Sequence, residues 1–300
     1  MLNIIRTALE LGFLYAPVAM ALYLSYRVLD VADLTTDGCF ILGAAVSVTL
    51  TAAGHPLLAV FAAMAAGACA GFVTAFLQTR LGVPSILAGI VTNTGLYTIN
   101  LMAMGWRANV SLLKVNTLFK SFGTIGLGGW SDALLALLVT ALLLVLLVLF
   151  LGTRLGLSIR ATGDNRDMVR ASSVNPTFTI TVGLCISNAM TALSGAMVGQ
   201  YQSAADINGG TGIVVIGLAC LIIGETVIGR KSVFRGALAA VVGSVIYRLL
   251  YAVVLYTKIV PVAGLKLVTA IIVGLAIAMP TLKSWAAFRR RKAAAGKGGR

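Results

Sequence analysis

The sequence predicts an all-α polytopic membrane protein of about nine transmembrane helices (eight to ten), and three observations carry that prediction. Of its 300 residues, 59% are hydrophobic and only 11% charged, against roughly 25% charged in soluble domains. Mean hydropathy is +0.99. Apolar runs of the length needed to cross a bilayer, about 20 residues, follow one another with little between them. A soluble globular domain is excluded. Residues 1–282 read as one transmembrane domain and 283–300 as a basic tail.

Spans are expected at 8–29, 36–53, 57–79, 84–104, 132–152, 178–198, 213–228, 236–256 and 264–282. The fifth is an uninterrupted run of Leu, Val and Ala. The second and seventh are shorter and glycine-rich, as broken or tilted helices of transporters are. Residues 11–29 are long enough to span, and no small-residue cleavage site precedes polar sequence, so no cleavable signal peptide is expected. The third span carries Ala63, Gly67, Gly71 and Ala75, a ladder of small residues that lets two helix backbones approach.

The net charge of +14 does not point to nucleic acid in such a chain. Basic residues gather in cytoplasmic loops and against anionic lipid headgroups. Seven of the 23 basic residues lie in the tail from Lys283 to Arg300. With the polar loop 153–177 in the cytoplasm, Arg27, Arg80, the loop 230–235 and the tail fall on the same side. That places the N-terminus outside and the C-terminus in the cytoplasm. Cys39, Cys69, Cys185 and Cys220 sit in apolar runs without ligand spacing and read as small buried apolar residues. His55 precedes Pro56 in a turn, and one histidine builds no metal site. No metal or cofactor is expected, and no P-loop is present, so the chain is not itself an ATPase.

Polar residues form stripes within two spans. Ser85, Gly89, Asn93, Tyr97 and Asn100 share one face of the fourth. Ser187, Asn188, Thr191, Ser194 and Gly195 share one face of the sixth. Both stripes should face protein rather than lipid. They serve interhelical hydrogen bonding or line a solute path, with Asn93, Tyr97, Asn100, Asn188 and Thr191 as candidate lining. Glu225 is expected at the membrane interface, paired with a basic neighbour such as Arg230. Arg248, inside the eighth span, has no partner that the sequence identifies. Thr79–Gly82 and Thr153–Gly156 repeat TRLG, each closing a span.

The loop 153–177 is the one long charged interruption. Gly163 is expected to break the preceding segment, Asp164 to cap a short helix over about 165–174, and Asp167 to favour its first turn. Pro176 stops it and pushes Asn175 out of the α region. Met168, Ala171 and Val174 fall on one side, with Arg166 and Arg170 on another. So short a helix needs a surface to lie on.

Three segments in order resemble the permeases of the branched-chain amino acid/ribose class of ABC importers. Arg160-Ala161-Thr162-Gly163-Asp164-Asn165, followed by Arg170-Ala171-Ser172-Ser173-Val174-Asn175, is similar to that family's cytoplasmic loop. Asp33-Leu34-Thr35 through Gly38, then Leu42-Gly43-Ala44, resembles its segment before a glycine-rich helix. Gly209-Gly210-Thr211-Gly212, Ile216-Gly217-Leu218-Ala219 and Ile223-Gly224-Glu225, with Gly229 and Gly236, resembles its late glycine-punctuated segment. Many members carry glycine where Ser173 and Glu225 stand, and Glu225 resembles an uncharacterised subgroup linked to amino-acid uptake.

The resemblance implies a permease that pairs with a second copy in a bacterial inner membrane. It also implies a cytoplasmic ABC ATPase dimer and an extracytoplasmic solute-binding protein on loops 105–131 and 199–212. Asp164, Asn165, Arg166, Asp167, Met168, Arg170, Ala171 and Val174 would form the coupling helix on the ATPase. Glu225, Arg230 and Lys231 would make a second cytoplasmic contact. The cargo would be a small amino acid-like solute, with a sugar or nucleoside as the alternative. An ion-coupled carrier or channel using Glu225 or Arg248 is the competing reading. The scarcity of acidic residues within the spans argues against it.

Overall fold

The computed structural model describes residues 2–112, 115–123 and 130–257, with isolated positions between 267 and 278. Its helices are α1 (Leu2–Leu22, continued by a π-helical stretch Tyr23–Val28), α2 (Thr36–Ala52), α3 (Pro56–Thr79), α4 (Ser85–Ala103), α5 (Leu118–Gly123), α6 (Ser131–Gly152), α7 (Arg154–Asp164), α8 (Arg166–Ala171), α9 (Pro176–Gln202), α10 (Ile213–Ile228) and α11 (Val233–Thr257). Among the described residues, six helical segments are long and apolar enough to cross a membrane: α1 with its π-helical continuation, α3, α4, α6, α9 and α11; α2 and α10 are apolar but shorter. Eight expected spans thus coincide with helices. The ninth, 264–282, and the tail 283–300 lie almost entirely outside the described residues. The protein is an all-α multi-pass membrane protein.

Helix α9 is the axis of the bundle. Close approach of its backbone to its neighbours is possible because glycine faces it. A Cβ on Gly71 would meet the Leu184 carbonyl at 2.5 Å, one on Gly67 the Asn188 carbonyl at 2.5 Å, and one on Gly43 or Gly195 would strike the Ala192 or Phe40 carbonyl. The small-residue ladder of α3 is therefore a packing surface, with Ala63 and Ala75 also buried. Hydroxyls of α9 reinforce it: Ser187 donates to the Ala21 carbonyl at 2.9 Å and Ser194 to the Leu14 carbonyl at 2.6 Å. Gln200 ties the far end together, donating to Ser47 and the Pro56 carbonyl and accepting from the Leu118 amide.

These contacts also set the depth of the short helices. Asp33, just before α2, reaches Asn188 near the middle of α9, and Gly199 lies against Ala44 and Val48. So α2 runs beside only the second half of α9. Helix α10 does the converse beside α1: Gly217 packs on Leu22 and Val18, and Glu225 reaches Arg27. Both shorter helices begin inside the bundle, and connectors 29–35 and 203–212 carry the chain to those starting points.

The structure corrects several expectations. The region 153–177 is an elbow of two helices, α7 and α8, rather than one. Gly163 does not break a segment. It sits within α7, where a Cβ would collide with the Val28 carbonyl. The repeated TRLG differs in its two settings: Thr79 ends α3, whereas Thr153 caps α7 by accepting from the Gly156 amide. Two expected loops pair as a small antiparallel ribbon, β1 (Asn109–Ser111) with β2 (Ala204–Asp206), Val110 opposite Ala205. Of the cysteines, Cys39 and Cys220 are buried, but Cys69 is exposed on the outside of the bundle.

Helices α10 and α11 repeat the close approach: a Cβ on Gly224 would strike the Ala239 carbonyl, and one on Gly243 the Cys220 carbonyl. Gly224→Val should lower stability by about 1–3 kcal/mol, the usual cost of overpacking. Gly95→Ala, with open space around the added methyl, should be neutral or stabilising by up to about 1 kcal/mol. Thermal unfolding of the two variants in detergent checks the contrast.

Candidate functional site

The N-termini of α2 and α10 meet at Asp37. Its Oδ2 accepts from the Gly212 amide at 3.0 Å and its Oδ1 from the Val214 amide at 2.8 Å. A carboxylate in the first turn of one helix thus caps the start of the other, where amides lack intrahelical partners and the helix dipole favours negative charge. Gly210 permits the approach, since a Cβ there would meet the Asp37 carbonyl at 2.6 Å.

A cavity of about 280 Å³ opens beside this junction; its polar lining includes Asp37, Asn93, Thr94, Tyr97, Asn100 and Asn208, with Ile41 and Ile207 as apolar wall. Three of the five residues read from the sequence as path lining, Asn93, Tyr97 and Asn100, therefore converge on one cavity. Asn100 donates to the Gly38 carbonyl at 3.1 Å, which fixes its amide orientation; its Oδ1 has no hydrogen-bond partner. Tyr97 is 50% exposed and so does not face the interior.

Asn188 and Thr191 do not line this cavity. Both are fully buried. Asn188 donates to Asp33 at 2.7 Å and to the Leu184 carbonyl; Thr191 donates to the Ser187 carbonyl. The α9 stripe is structural because α9 is surrounded by helices, which hydropathy alone does not reveal. Asp33 completes that network, accepting from the Thr35 amide at 2.9 Å, while the Thr35 and Thr74 hydroxyls are 2.8 Å apart.

A charged cluster lies where α1, α10 and α11 come together. Glu225 makes a bidentate pair with Arg27 (2.8 and 2.7 Å) and a second with Arg230 at 3.2 Å. The Arg230 pairing matches the expectation; the stronger partner, Arg27, is far away in sequence and was missed. With its side chain 4% exposed, Glu225 faces inward and presents nothing to a partner, whereas Arg230 and Lys231 are exposed. Arg248 finds a partner in Tyr15, its guanidinium carbon 3.7 Å from the ring centroid, a cation–π contact that offsets charge within the apolar bundle.

The elbow is held to the bundle from beneath. Ile159 and Thr162 of α7 are buried, and the Thr162 and Thr179 hydroxyls are 2.8 Å apart. Asn165, not Asp164, caps α8: its Oδ1 accepts from the Asp167 and Met168 amides, both at 3.0 Å. Asp164 instead completes the last turn of α7. The buried anchor of α8 is Val169, while Met168 is 68% exposed and Ala171 is exposed, so the expected apolar side points outward. Arg166, Asp167 and Arg170 are exposed, and Val174 is half-buried. Helix α8 closes with a left-handed residue at Ser173 (φ 62°); the Val174 amide bonds the Val169 carbonyl and the Ser173 amide the Arg170 carbonyl. This is the closure glycine favours. Asn175 is extended (φ −84°, ψ 108°), as expected ahead of Pro176, and its side chain also caps α9 by accepting from the Thr177 amide.

Residues 4–282 match the family model of the branched-chain amino acid transport system permease component. The chain belongs to that family. A tyrosine transport system permease protein of Clostridioides difficile is 34% identical over 257 residues, covering 85% of this chain and 84% of the relative. An uncharacterized protein of Rickettsia prowazekii is 32% identical over 275 residues, 90% of this chain and 95% of its own length. No solved structure matches significantly. As a transport-system permease component the chain is not an enzyme; ATP hydrolysis belongs to separate subunits.

Two variants separate these contacts. Glu225→Gln, which leaves Arg27 (28% exposed) short of its carboxylate, should cost on the order of 2 kcal/mol. Arg230→Ala, removing a partner 58% exposed, should cost less than about 1 kcal/mol. Ser173→Gly should stabilise the elbow by about 1 kcal/mol through relief of left-handed strain, read as slower hydrogen exchange at the Val174 amide.

Proposed function

We propose that this permease is the transmembrane subunit of an ATP-driven importer. It carries a small amino acid-like solute from an extracytoplasmic binding protein into the cytoplasm of a bacterial cell. The observation that carries the proposal is the elbow. Val169, Gly163 and Thr162 pack α7 and α8 against α9 and the end of α1, while Arg166, Met168 and Arg170 face away from the bundle. A surface of that kind can seat in a soluble motor and pass its movement to α9. Coupling requires contacts that differ between two states, and a docked rigid elbow supplies them.

The elbow, Arg230 and Lys231 then lie in the cytoplasm, and the β1–β2 ribbon lies outside, toward the binding protein. A second copy of the chain is favoured by α4, which carries the polar Thr94, Tyr97 and Thr98 on its exposed face; such side chains are costly against lipid. The cavity beside Asp37 is the solute path. An amino acid-like cargo is supported by the tyrosine transport system named for the Clostridioides relative. Ion coupling through Glu225 or Arg248 is disfavoured, because the first is held by two arginines and the second by Tyr15.

Affinity purification from native membranes tests the motor assignment. The intact chain should bring down a Walker-type ATPase. Arg166→Glu with Arg170→Glu should reduce its recovery by on the order of tenfold, as for residues central to an interface, with thermal stability unchanged. Absence of an ATPase from the intact preparation contradicts the importer. Full recovery with the double variant contradicts the elbow as its seat.

A further inference from the structure

A second groove, of about 330 Å³, lies between the end of α3 and the start of α9 and shares no residue with the cavity beside Asp37. Helix α3 has 24 residues, about 36 Å at 1.5 Å each, against about 30 Å of hydrocarbon. Its last turn therefore sits at the membrane surface. Phe72, Phe76 and Arg80 recur every four residues and share one face of α3. Phe72 lies about 12 Å deeper in the bilayer than Arg80. The groove is thus apolar along its length, with Phe72, Phe76 and Phe178 all exposed, and polar at its mouth, with Arg80, Asn175 and Thr177. Asn175 Oδ1 accepts from the Thr177 amide, which leaves its Nδ2 uncommitted. Among the described residues, no hydrogen bond or ion pair engages the Arg80 side chain or the Thr177 hydroxyl. The Thr79 and Thr181 hydroxyls donate within their own helices. No carboxylate lines the groove, so its mouth carries positive charge and spare donors.

We propose that this groove holds an anionic phospholipid, its phosphate on Arg80, Asn175 and Thr177 and an acyl chain along Phe72, Phe76 and Phe178. Phosphate oxygens take charge-assisted bonds from a guanidinium, and the neighbouring amide and hydroxyl add neutral donors. A soluble phosphate would use the mouth alone, whereas a lipid fills the mouth and covers the aromatic wall. Basic pockets between helices on the cytoplasmic side suit anionic headgroups. The inference rests on the proposed placement of the elbow in the cytoplasm, because Arg80 and Asn175 lie at that end. It has a mechanical consequence. Asn175 follows directly on the elbow and caps α9. A lipid seated there braces α3 against α9 at the point where the elbow passes into α9.

Thermal unfolding of the purified full-length chain in detergent tests this, titrated with dioleoyl phosphatidylglycerol, dioleoyl phosphatidylcholine or inorganic phosphate. Phosphatidylglycerol should raise the unfolding temperature, half-saturating at least about tenfold below phosphatidylcholine, as a charge-assisted contact requires. Inorganic phosphate should have no effect. Arg80→Gln should unfold at the unaltered temperature without lipid and need about tenfold more phosphatidylglycerol. Arg80→Lys, which keeps the charge, should preserve the order of the two lipids. Phe76→Ala should weaken both alike. Arg235→Gln removes an exposed arginine outside the groove and should change nothing. Equal stabilisation by the two lipids overturns the proposal. So does an equal loss in Arg80→Gln and Arg235→Gln, which would reflect attraction to the basic surface as a whole. Stabilisation by inorganic phosphate matching that by phosphatidylglycerol overturns the lipid in favour of a soluble anion. A lipid preference that persists in a chain recruiting no ATPase leaves the groove standing and contradicts the importer. Full recovery of the ATPase with no lipid preference does the reverse.

Discussion

In a bilayer no hydrophobic effect draws one apolar helix onto another, so association depends on close packing and interhelical hydrogen bonds. Helix α9 meets both conditions. Gly43, Gly67 and Gly71 bring the backbones of α2 and α3 onto it, and its own Gly195 admits the Phe40 carbonyl. Ser187, Asn188 and Ser194 then bond across to α1 and the connector before α2. With α9 fixed, the depth of α2 is fixed by Asp33 reaching Asn188. The depth of α10 follows from Asp37, which holds its first turn.

Two shorter helices, of 17 and 16 residues, that begin inside a bundle place helix starts away from its ends, where unpaired amides are costly. Asp37 answers those of α10 directly. The same arrangement leaves room beside the junction, because neither helix continues past it. A polar cavity in the membrane is therefore a consequence of the broken helices rather than an addition to them. The elbow attaches to the opposite end of α9. The chain therefore has one rigid element linking the surface proposed to face the motor to the helices around the cavity.

Much of this was legible in the sequence. The spans follow from hydropathy and the bilayer's thickness, and the shortness of α2 and α10 was visible with their glycines. Asn93, Tyr97 and Asn100 were found from helical spacing, which places them on one face whatever the fold. Asn188 and Thr191 show the same spacing but are buried, because spacing cannot say whether a polar face meets a cavity or another helix. The partners missed were long-range: Arg27 for Glu225, Tyr15 for Arg248, Asp33 for Asn188. Asp37 escaped notice because an acidic residue in a first helical turn has a sufficient local explanation; its reach to Gly212 appears only in three dimensions. One short helix is expected over about 165–174 and α8 spans Arg166–Ala171; its cap is Asn165 rather than Asp164, since both are good caps, and α7 was not anticipated.

In the proposed mechanism, energy enters through the elbow rather than through an ion gradient. Uptake of radiolabelled L-tyrosine into proteoliposomes tests that most directly, comparing the chain alone with the chain joined by its ATPase and binding protein. Uptake is predicted to require both partners and ATP on the elbow side, and to be indifferent to proton and sodium gradients. Gradient-driven uptake by the chain alone would contradict it.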